Sequence, residues 1–255
     1  MSKRDDGYHN IETIFYPLPL YDVLELMDAS ETSLTLKGLP IPGNIEDNIV
    51  LKAYNLLKKD FNDLPATHFY LLKNIPAGAG LGAGSANGAS ALLALNKKFN
   101  LNLSISQLIN YALQLGSDCP FFILNQPCFA TGRGENMQPV NLDLSSRKLI
   151  VVNPGIHIST PWAFQQLNPE KPAKSLYDLI QMPINDWKKN ITNDFEIPVF
   201  NTHPAIEMIK NKLYEAGAAF ALMSGSGSTV YGLFEKDDDV IINFADNYFV
   251  KELVL

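Results

Sequence analysis

Cysteine and histidine are scarce in this chain, which limits the kinds of site it can build. It has two cysteines and four histidines in 255 residues. Neither set has the spacing that is typical of a metal site, and two cysteines cannot form the disulfide framework of a small secreted domain. We therefore expect Cys119 and Cys128 to be free, buried thiols.

Long apolar runs and clusters of basic residues are also missing. No stretch approaches the roughly 20 apolar residues of a membrane span, and the first ten residues, MSKRDDGYHN, lack the apolar segment of a signal peptide. The formal net charge is −7, and the 20 lysines and arginines are scattered. These features predict a cytoplasmic protein that binds neither membranes nor nucleic acids, since nucleic acids require a basic face.

The most informative stretch that is present is residues 76–95, PAGAGLGAGSANGASALLAL. Its first half is almost devoid of side chains. Its second half leads into a helical spacing of apolar residues at Leu92, Leu95 and Phe99. The aromatic and apolar residues 68–72, which precede it, are typical of a strand. The predicted order is strand, glycine loop, helix.

This order indicates a binding site for phosphate. Glycine lets the backbone adopt positive φ and approach a ligand closely. The start of a helix offers unpaired N–H groups at the positive end of its dipole. Ser85, near that start, would offer its hydroxyl group to a phosphate or a metal ion. The alternative, a packed glycine turn without a ligand, is less consistent with four glycines that lead into a helix.

Two common types of phosphate loop do not fit this stretch. A P-loop requires Gly-Lys-Ser/Thr at its end, and no lysine follows these glycines. Gly78, Gly80 and Ala83 match the loose dinucleotide-binding pattern. However, no Asp or Glu that could bind a ribose occurs between residues 84 and 117, and Pro76 interrupts the passage from strand to loop. We therefore reject both types.

Helix boundaries can be predicted on either side of the glycine loop. Asp47 or Asn48 is expected to cap a helix that extends to about residue 58. Ser104 or Ser106 is expected to open another helix that ends at Gly116, with this glycine in the left-handed C′ position.

Asp118 is the single acidic residue in an otherwise apolar run, residues 117–122 (SDCPFF). A lone loop aspartate is usually a turn or cap residue. An unpaired buried carboxylate is costly, so the apolar surroundings equally favour a partner or a function. Both alternatives stay open on the local sequence.

A second glycine segment lies at residues 219–234, AFALMSGSGSTVYGLF. Its Ser-Gly repeat stands between two apolar strands. It could be a hairpin with a flexible turn, or a second loop that reaches the same phosphates or braces the first loop.

These segments together resemble the GHMP kinase superfamily, which includes galactokinase, homoserine kinase and mevalonate kinase. Residues 76–90 are similar to its ATP-phosphate motif, and MSGSGSTVYGLF is similar to its carboxy-terminal glycine motif. KRDDGYHNIETIF, LGSDCPFF and TNDFE are similar to stretches that mark the branch acting on cytidine diphosphate methylerythritol. The resemblance extends from Lys3 almost to the end of the chain.

The resemblance implies an α+β, two-domain GHMP kinase fold. A ribosomal-protein-like α/β domain would occupy residues 1–147, and a ferredoxin-like α/β domain residues 148–255. The implied reaction is ATP-dependent phosphorylation of a hydroxyl group of 4-diphosphocytidyl-2-C-methyl-D-erythritol to the 2-phosphate, in the non-mevalonate isoprenoid pathway. It implies ATP and Mg²⁺ as cofactors, and we expect a monomer or homodimer. Another GHMP small-molecule kinase and a non-catalytic nucleotide-binding remnant are the alternatives.

The resemblance also implies roles for single residues. Asp118 would be the catalytic base, and Ser85 would contact both phosphate and Mg²⁺. The residues implied to bind the nucleotide are Asn48, Lys73, Pro76, Gly78, Ala79, Gly80, Leu81, Gly82, Ala83, Gly84 and Ser85. Those implied to bind the substrate are Tyr8, His9, Thr160, Phe164, Gly225, Ser226 and Gly227. Tyr8 and Phe164 would lie on the two faces of the cytosine ring.

The sequence differs from the family pattern at two places. Ala83, Ala86 and Gly88 stand where Gly, Ser and Ala are more usual. The family also has a strand with a lysine and an asparagine before the KRDDGYH segment, whereas this sequence starts two residues before it. We expect from this difference that the chain as given lacks the first strand and is a poor kinase.

Overall fold

A computed structural model describes residues 2–3, 9–167 and 174–255. The chain divides into two compact units. Unit 1 contains Met1–Pro19, Gly78–Leu81 and Pro127–Leu255, and unit 2 contains Leu20–Ala77 and Gly82–Gln126. The glycine loop is therefore shared: its first four residues, 78–81, belong to unit 1, and the part from residue 82 onward belongs to unit 2. The predicted boundary between residues 147 and 148 stays a prediction.

The regular elements are as follows. The strands are β1 (Ser2–Lys3), β2 (His9–Asn10), β3 (Thr13–Phe15), β4 (Val23–Asp28), β5 (Ser33–Gly38), β6 (Thr67–Lys73), β7 (Cys128–Thr131), β8 (Asn136–Pro139), β9 (Arg147–Asn153), β10 (Phe220–Met223), β11 (Val230–Glu235) and β12 (Phe249–Val254). The helices are α1 (Ile49–Asp60), α2 (Ala83–Lys98), α3 (Ile105–Leu115), α4 (Cys119–Leu124), α5 (Thr160–Gln165), α6 (Leu176–Leu179), α7 (Ile184–Asn190), α8 (Glu196–Thr202) and α9 (Pro204–Glu215), and Ile45–Asp47 form a 3₁₀ turn.

Unit 2 packs α1 to α4 on one face of a three-stranded sheet. The strand order is β4-β6-β5, with β4 antiparallel and β5 parallel to β6. Successive side chains of a strand point to opposite faces, so Phe69 and Leu71 of β6 are buried while Tyr70 and Leu72 are exposed. Phe69 and Leu71 join the apolar core formed with the helices.

Side-chain caps fix the ends of two helices in unit 2. Asn48 accepts a hydrogen bond from the backbone N–H of Val50 at 3.0 Å and caps α1, as one of the two predicted residues. Ser104 and Gln107 form a capping box at the start of α3. Gly116 ends α3 as predicted, but the predicted left-handed conformation is wrong. Its φ is 173°, which is extended backbone.

Unit 1 is built around an antiparallel sheet with the strand order β10-β11-β9-β12. Residues 148–153 of β9 are all buried. The helices α8 and α9 contribute Val199, Ile206 and Ile209 to the core beside this sheet. The strands β3, β7 and β8 form a smaller antiparallel sheet.

The two cysteines and the lengths of the helices were both subjects of prediction. Cys119 and Cys128 are buried and do not form a disulfide bond, as predicted. Among the described residues, none of the helices has the length and apolar character needed to cross a membrane.

Candidate active site

The glycine loop connects β6 to α2, so the predicted order of strand, loop and helix is confirmed. Gly78, Gly80 and Gly82 have φ values of +66°, +78° and +66°. Residues with a side chain rarely adopt this left-handed backbone conformation, which explains why these three positions are glycine.

The start of α2 has the features of an anion site. Gly82 stands at the N-cap position and has no side chain with which to cap the helix. The first backbone N–H groups of a helix lack partners within it, and there is no acidic residue in this first turn. A Cβ atom added to Gly84 would meet no atom within 4 Å. The N–H groups and dipole of α2 are therefore open to a negatively charged group.

Asp118 lies at the N-cap position of α4, but its side chain does not cap that helix. Across residues 9–167 and 174–255, no hydrogen bond or ion pair reaches its carboxylate. The side chain is partly buried, and this burial raises the pKa of the carboxyl group above its ordinary value. Asp118 lies in a turn, as one predicted alternative has it, but its side chain forms no capping hydrogen bond; its predicted function stays a prediction.

Ser85 and Cys119 connect the starts of α2 and α4 within unit 2. The Ser85 hydroxyl group lies within hydrogen-bonding reach of the Cys119 thiol. Burial raises the pKa of this thiol to about 11, and the negative charge of the nearby Asp118 raises it as well. At neutral pH the thiol is therefore protonated and unreactive. The contact brings Ser85 next to the residue that follows Asp118.

Lys73 is buried at the end of β6, where it forms an ion pair with Asp22. The other carboxylate oxygen of Asp22 accepts hydrogen bonds from the backbone N–H groups of Asn74 at 2.7 Å and Ile75 at 3.0 Å. Asp22 thereby fixes the backbone just before the glycine loop. No local sequence pattern indicates this role, because Asp22 precedes Lys73 by 51 residues.

The second glycine segment joins β10 to β11 and braces the first loop. The Ser224 hydroxyl group donates a hydrogen bond to the carbonyl oxygen of Gly80 at 2.7 Å. The backbone N–H of Thr229 donates to the carbonyl oxygen of Ala79 at 3.2 Å. A Cβ atom on Gly80 would lie 2.3 Å from the carbonyl oxygen of Ser224. The segment therefore forms a hairpin whose turn also braces the first loop, and its predicted contact with the phosphates stays a prediction.

Unit 1 brings together two pairs of the predicted substrate residues. The rings of His9 and Phe164 are stacked, with centroids 5.0 Å apart and planes 23° from parallel. Phe164 also packs edge-on against Phe195 at 4.9 Å. The hydroxyl oxygens of Thr160 and Ser226 are 3.0 Å apart. Tyr8 lies outside the described residues.

Models of the GHMP kinases match both parts of the chain. The model of the GHMP kinases N terminal domain matches residues 48–131, and the model of the GHMP kinases C terminal region matches residues 175–251. With the glycine loop and the α+β units, these matches define the class of the protein as a small-molecule kinase of the GHMP type.

Comparison with curated relatives narrows this class. The chain is 48% identical over 236 residues to a 4-diphosphocytidyl-2-C-methyl-D-erythritol kinase of Parabacteroides distasonis, covering 92% of this chain and 87% of the relative. A kinase of the same name from Cytophaga hutchinsonii is 44% identical over 235 residues, with coverage of 92% and 87%. The chain therefore belongs to the 4-diphosphocytidyl-2-C-methyl-D-erythritol kinase family.

Solved structures agree with this assignment. A crystal structure of 4-(cytidine 5'-diphospho)-2C-methyl-D-erythritol kinase superposes with a TM-score of 0.77 at 30% identity, covering 91% of this chain and 83% of that one. A homoserine kinase from Cytophaga hutchinsonii superposes with a TM-score of 0.68 at 15% identity, covering 96% of this chain and 94% of that one. The second comparison shows the shared fold alone. The predicted fold class is confirmed.

Proposed function

We propose that the protein transfers the γ-phosphoryl group of ATP to 4-diphosphocytidyl-2-C-methyl-D-erythritol in the non-mevalonate isoprenoid pathway. The acceptor is a hydroxyl group, and the product is the 2-phosphate. The observation that carries this proposal is the glycine loop with positive φ, which ends at the uncapped start of α2. The identity to relatives named for this substrate supports the choice of acceptor.

The glycine loop is proposed to bind the ATP phosphates. The N–H groups in the first turn of α2 and the positive end of its dipole stabilise phosphate charge, and the Ser85 hydroxyl group is an additional donor. In phosphoryl transfer, such positioning and charge stabilisation account for most of the catalysis. The residues proposed to form the nucleotide site are Asn48, Lys73, Pro76, Gly78, Ala79, Gly80, Leu81, Gly82, Ala83, Gly84 and Ser85.

Asp118 is proposed to be the base. The substrate hydroxyl oxygen bonds to the γ-phosphorus of ATP, the bond from that phosphorus to the β–γ bridging oxygen breaks, and ADP leaves. The hydroxyl proton passes to the Asp118 carboxylate. Burial raises the pKa of this carboxyl group, which makes it a better proton acceptor than an ordinary aspartate.

Mg²⁺ is proposed to accompany ATP. At nucleotide sites this ion is held by few protein groups together with the substrate phosphates, and a Ser or Thr hydroxyl group can be one of them. Within the described part of the chain, no three His, Cys, Asp or Glu residues cluster as a metal site would require. The Ser85 hydroxyl group fits an ion that is held mainly by phosphate. Bound there, Mg²⁺ would neutralise phosphate charge.

The cytidyl end of the substrate is proposed to bind beside Phe164. An aromatic ring stacks well on a nucleobase, and Phe164 lies next to His9, another residue of the set proposed for the cytosine. Thr160 and Ser226 offer paired hydroxyl groups in the same unit. The full set proposed for the substrate is Tyr8, His9, Thr160, Phe164, Gly225, Ser226 and Gly227.

The test is ADP release from ATP and Mg²⁺ with one alcohol at a time: the cytidyl substrate, mevalonate or homoserine. We expect turnover with the cytidyl substrate, and phosphorus NMR should find the new phosphate on the 2-hydroxyl group. Turnover with a different alcohol instead would assign the chain to another GHMP kinase activity. ATP binding without turnover of any alcohol would identify a non-catalytic nucleotide-binding protein.

A further inference from the structure

We propose that Asn193 is a positioning residue for the nucleotide site. It holds the second glycine loop, here residues 224–229, in the shape that fixes the carbonyl groups of Ala79 and Gly80. This inference rests on the proposed function, which assigns the ATP phosphates to residues 78–85. The TNDFE segment that contains Asn193 has no part in that function so far.

The side chain of Asn193 holds the end of β10 and the start of the second loop. Its Nδ2 atom donates hydrogen bonds to the carbonyl oxygens of Met223 at 2.8 Å and Gly225 at 2.7 Å. Its Oδ1 atom accepts from the backbone N–H of Phe195 at 2.9 Å. Both donors and the acceptor of the amide are thus used, so the side chain has one defined orientation.

Glu196, three residues further on, holds the other backbone group of Met223. Its Oε1 atom accepts from the N–H of Met223 at 3.0 Å, and its Oε2 atom accepts from Nζ of Lys210 at 2.6 Å. Glu196 is buried, and the ion pair with Lys210 balances its charge. The TNDFE segment therefore fixes both the N–H and the C=O of the residue that precedes the second loop.

The second loop transmits this constraint to the phosphate loop. The N–H of Ser224 donates to the carbonyl oxygen of Thr229 at 2.8 Å, and the N–H of Gly227 donates to the carbonyl oxygen of Ser224 at 3.0 Å. The loop is closed by these bonds and contacts Gly80 without space for a single methyl group. A shift of the second loop must therefore move Gly80 or break the bond from the Ser224 hydroxyl group.

The test compares Asn193→Ala, Ser224→Ala and the double variant by ATP affinity and by kcat/KM for ATP. The physical reason is that misplacement of a binding group by about 1 Å can cost on the order of 100-fold in rate. We expect each single variant to lose about 10- to 100-fold in kcat/KM for ATP. Both side chains act through the same contact to Gly80. The kcat/KM of the double variant should therefore be no lower than that of the more impaired single variant.

Two control variants separate positioning from general stability. Asn190→Ala removes another asparagine amide of unit 1 that donates to a backbone carbonyl, that of Asp186 at 2.8 Å, and it should keep the parental kinetics. Ser224→Thr keeps the hydroxyl group and should restore most of what Ser224→Ala loses. Thermal midpoints of all variants are measured in parallel, and Ser224→Ala supplies the test if Asn193→Ala does not fold.

Three results would overturn the inference. The first is parental ATP affinity and kinetics in both single variants. The second is a loss of kcat/KM in the double variant that equals the product of the two single losses. The third is a loss of activity that is fully explained by a lowered thermal midpoint. The proposed function fails separately, if the parent chain turns over no cytidyl substrate. In that case ATP affinity alone still tests the positioning role, and a parent chain that binds no ATP would refute both.

Discussion

At the scale of single residues, Asp118 is a partly buried acidic residue close to the start of α2. Its carboxylate is partly buried and raised in pKa, and the helix that it precedes receives no capping bond from it. Partial burial of a charge without compensation costs stability. Groups with such a perturbed pKa cluster at functional sites because catalysis requires them there.

The first prediction concerns Asp118→Asn. Loss of the base should lower kcat by about 10² to 10⁴, while ATP affinity stays close to that of the parent because the loop is unchanged. Steady-state kinetics and calorimetric ATP titration measure the two effects. Asp28→Asn is the matched control, since Asp28 is exposed and pairs with Lys98 at the surface. Turnover of Asp118→Asn within about threefold of the parent would contradict the assignment.

The same substitution should stabilise the protein at neutral pH. A carboxyl group whose pKa is raised in the folded state contributes stability below its unfolded pKa, and this contribution is lost as the pH rises through the folded pKa. At neutral pH the ionised Asp118 therefore carries a cost that asparagine avoids. Urea unfolding should give a larger free energy for Asp118→Asn at neutral pH, and this difference should shrink towards about pH 4. A less stable variant at neutral pH would show that the carboxylate has a stabilising partner.

Phe164→Ala should weaken binding of the cytidyl substrate and leave ATP binding unchanged. Stacking of a base on an aromatic ring is worth about 1–3 kcal/mol, so KM for the cytidyl substrate should rise accordingly. Phe244→Ala is the control, because Phe244 stacks on Tyr248 at 6.5 Å and has no proposed role in binding. Tyr8→Ala should behave like Phe164→Ala. If ATP affinity falls sharply while the cytidyl substrate binds normally, the assignments of the ATP site and the cytidyl site are reversed.

At the scale of elements, the glycines of the loop serve different purposes. A side chain on Gly80 is excluded by the second loop, and one on Gly82 would meet the ring of Phe122 at 2.8 Å. A side chain on Gly84 would meet nothing, and this residue already lies in the first turn of α2. Packing therefore explains Gly80 and Gly82, whereas Gly84 has no packing reason among its neighbours and would be accounted for by the proposed phosphate site.

Gly84→Ala and Gly80→Ala should separate these two purposes. We expect Gly84→Ala to fold with parental or slightly higher stability, since alanine is favoured over glycine in helices by about 0.5–1 kcal/mol. It should nevertheless lower the affinity for ATP, because the methyl group of the new alanine enters the space proposed for phosphate. Gly80→Ala should lower the thermal midpoint, owing to positive φ and the 2.3 Å approach to Ser224. Parental ATP affinity in Gly84→Ala would argue against phosphate at the start of α2.

The local features of this region could be predicted from sequence, whereas its long-range contacts could not. The cap at Asn48 and the passage from loop to α2 follow from residue types within one or two turns. The bond from Ser224 to Gly80 joins residues 144 positions apart, and no local pattern indicates it. The six residues of α4 are too few for a helical periodicity, and the backbone at Gly116 follows the next element instead of the usual left-handed ending. The roles proposed for Asp118 and Phe164 depend on the family resemblance.

At the scale of the whole molecule, the described residues form an apolar core in each of the two units. The core of unit 2 combines α1 to α4 with β4, β5 and β6, and the core of unit 1 combines α8 and α9 with the sheet around β9. Composition predicts that a chain of this length can form one large or two modest cores, but it does not indicate which segments share one. The assignment of residues 78–81 to unit 1 is an example, since their neighbours on both sides belong to unit 2.

The last prediction tests whether the two cores are energetically independent. Leu92 of α2 and Leu213 of α9 are fully buried, each in its own core. Truncation to alanine should lower the free energy of unfolding by about 2–5 kcal/mol in each case, through lost apolar contacts and the cavity that remains. Because the two side chains belong to different core clusters, the double variant should lose the sum of the single losses within about 0.5 kcal/mol. Leu113→Ala is the control, since Leu113 of α3 is 39% exposed and should cost little. Calorimetry and urea unfolding measure these values. A double loss that departs from the sum by more than about 1 kcal/mol would show that the two cores are coupled in folding.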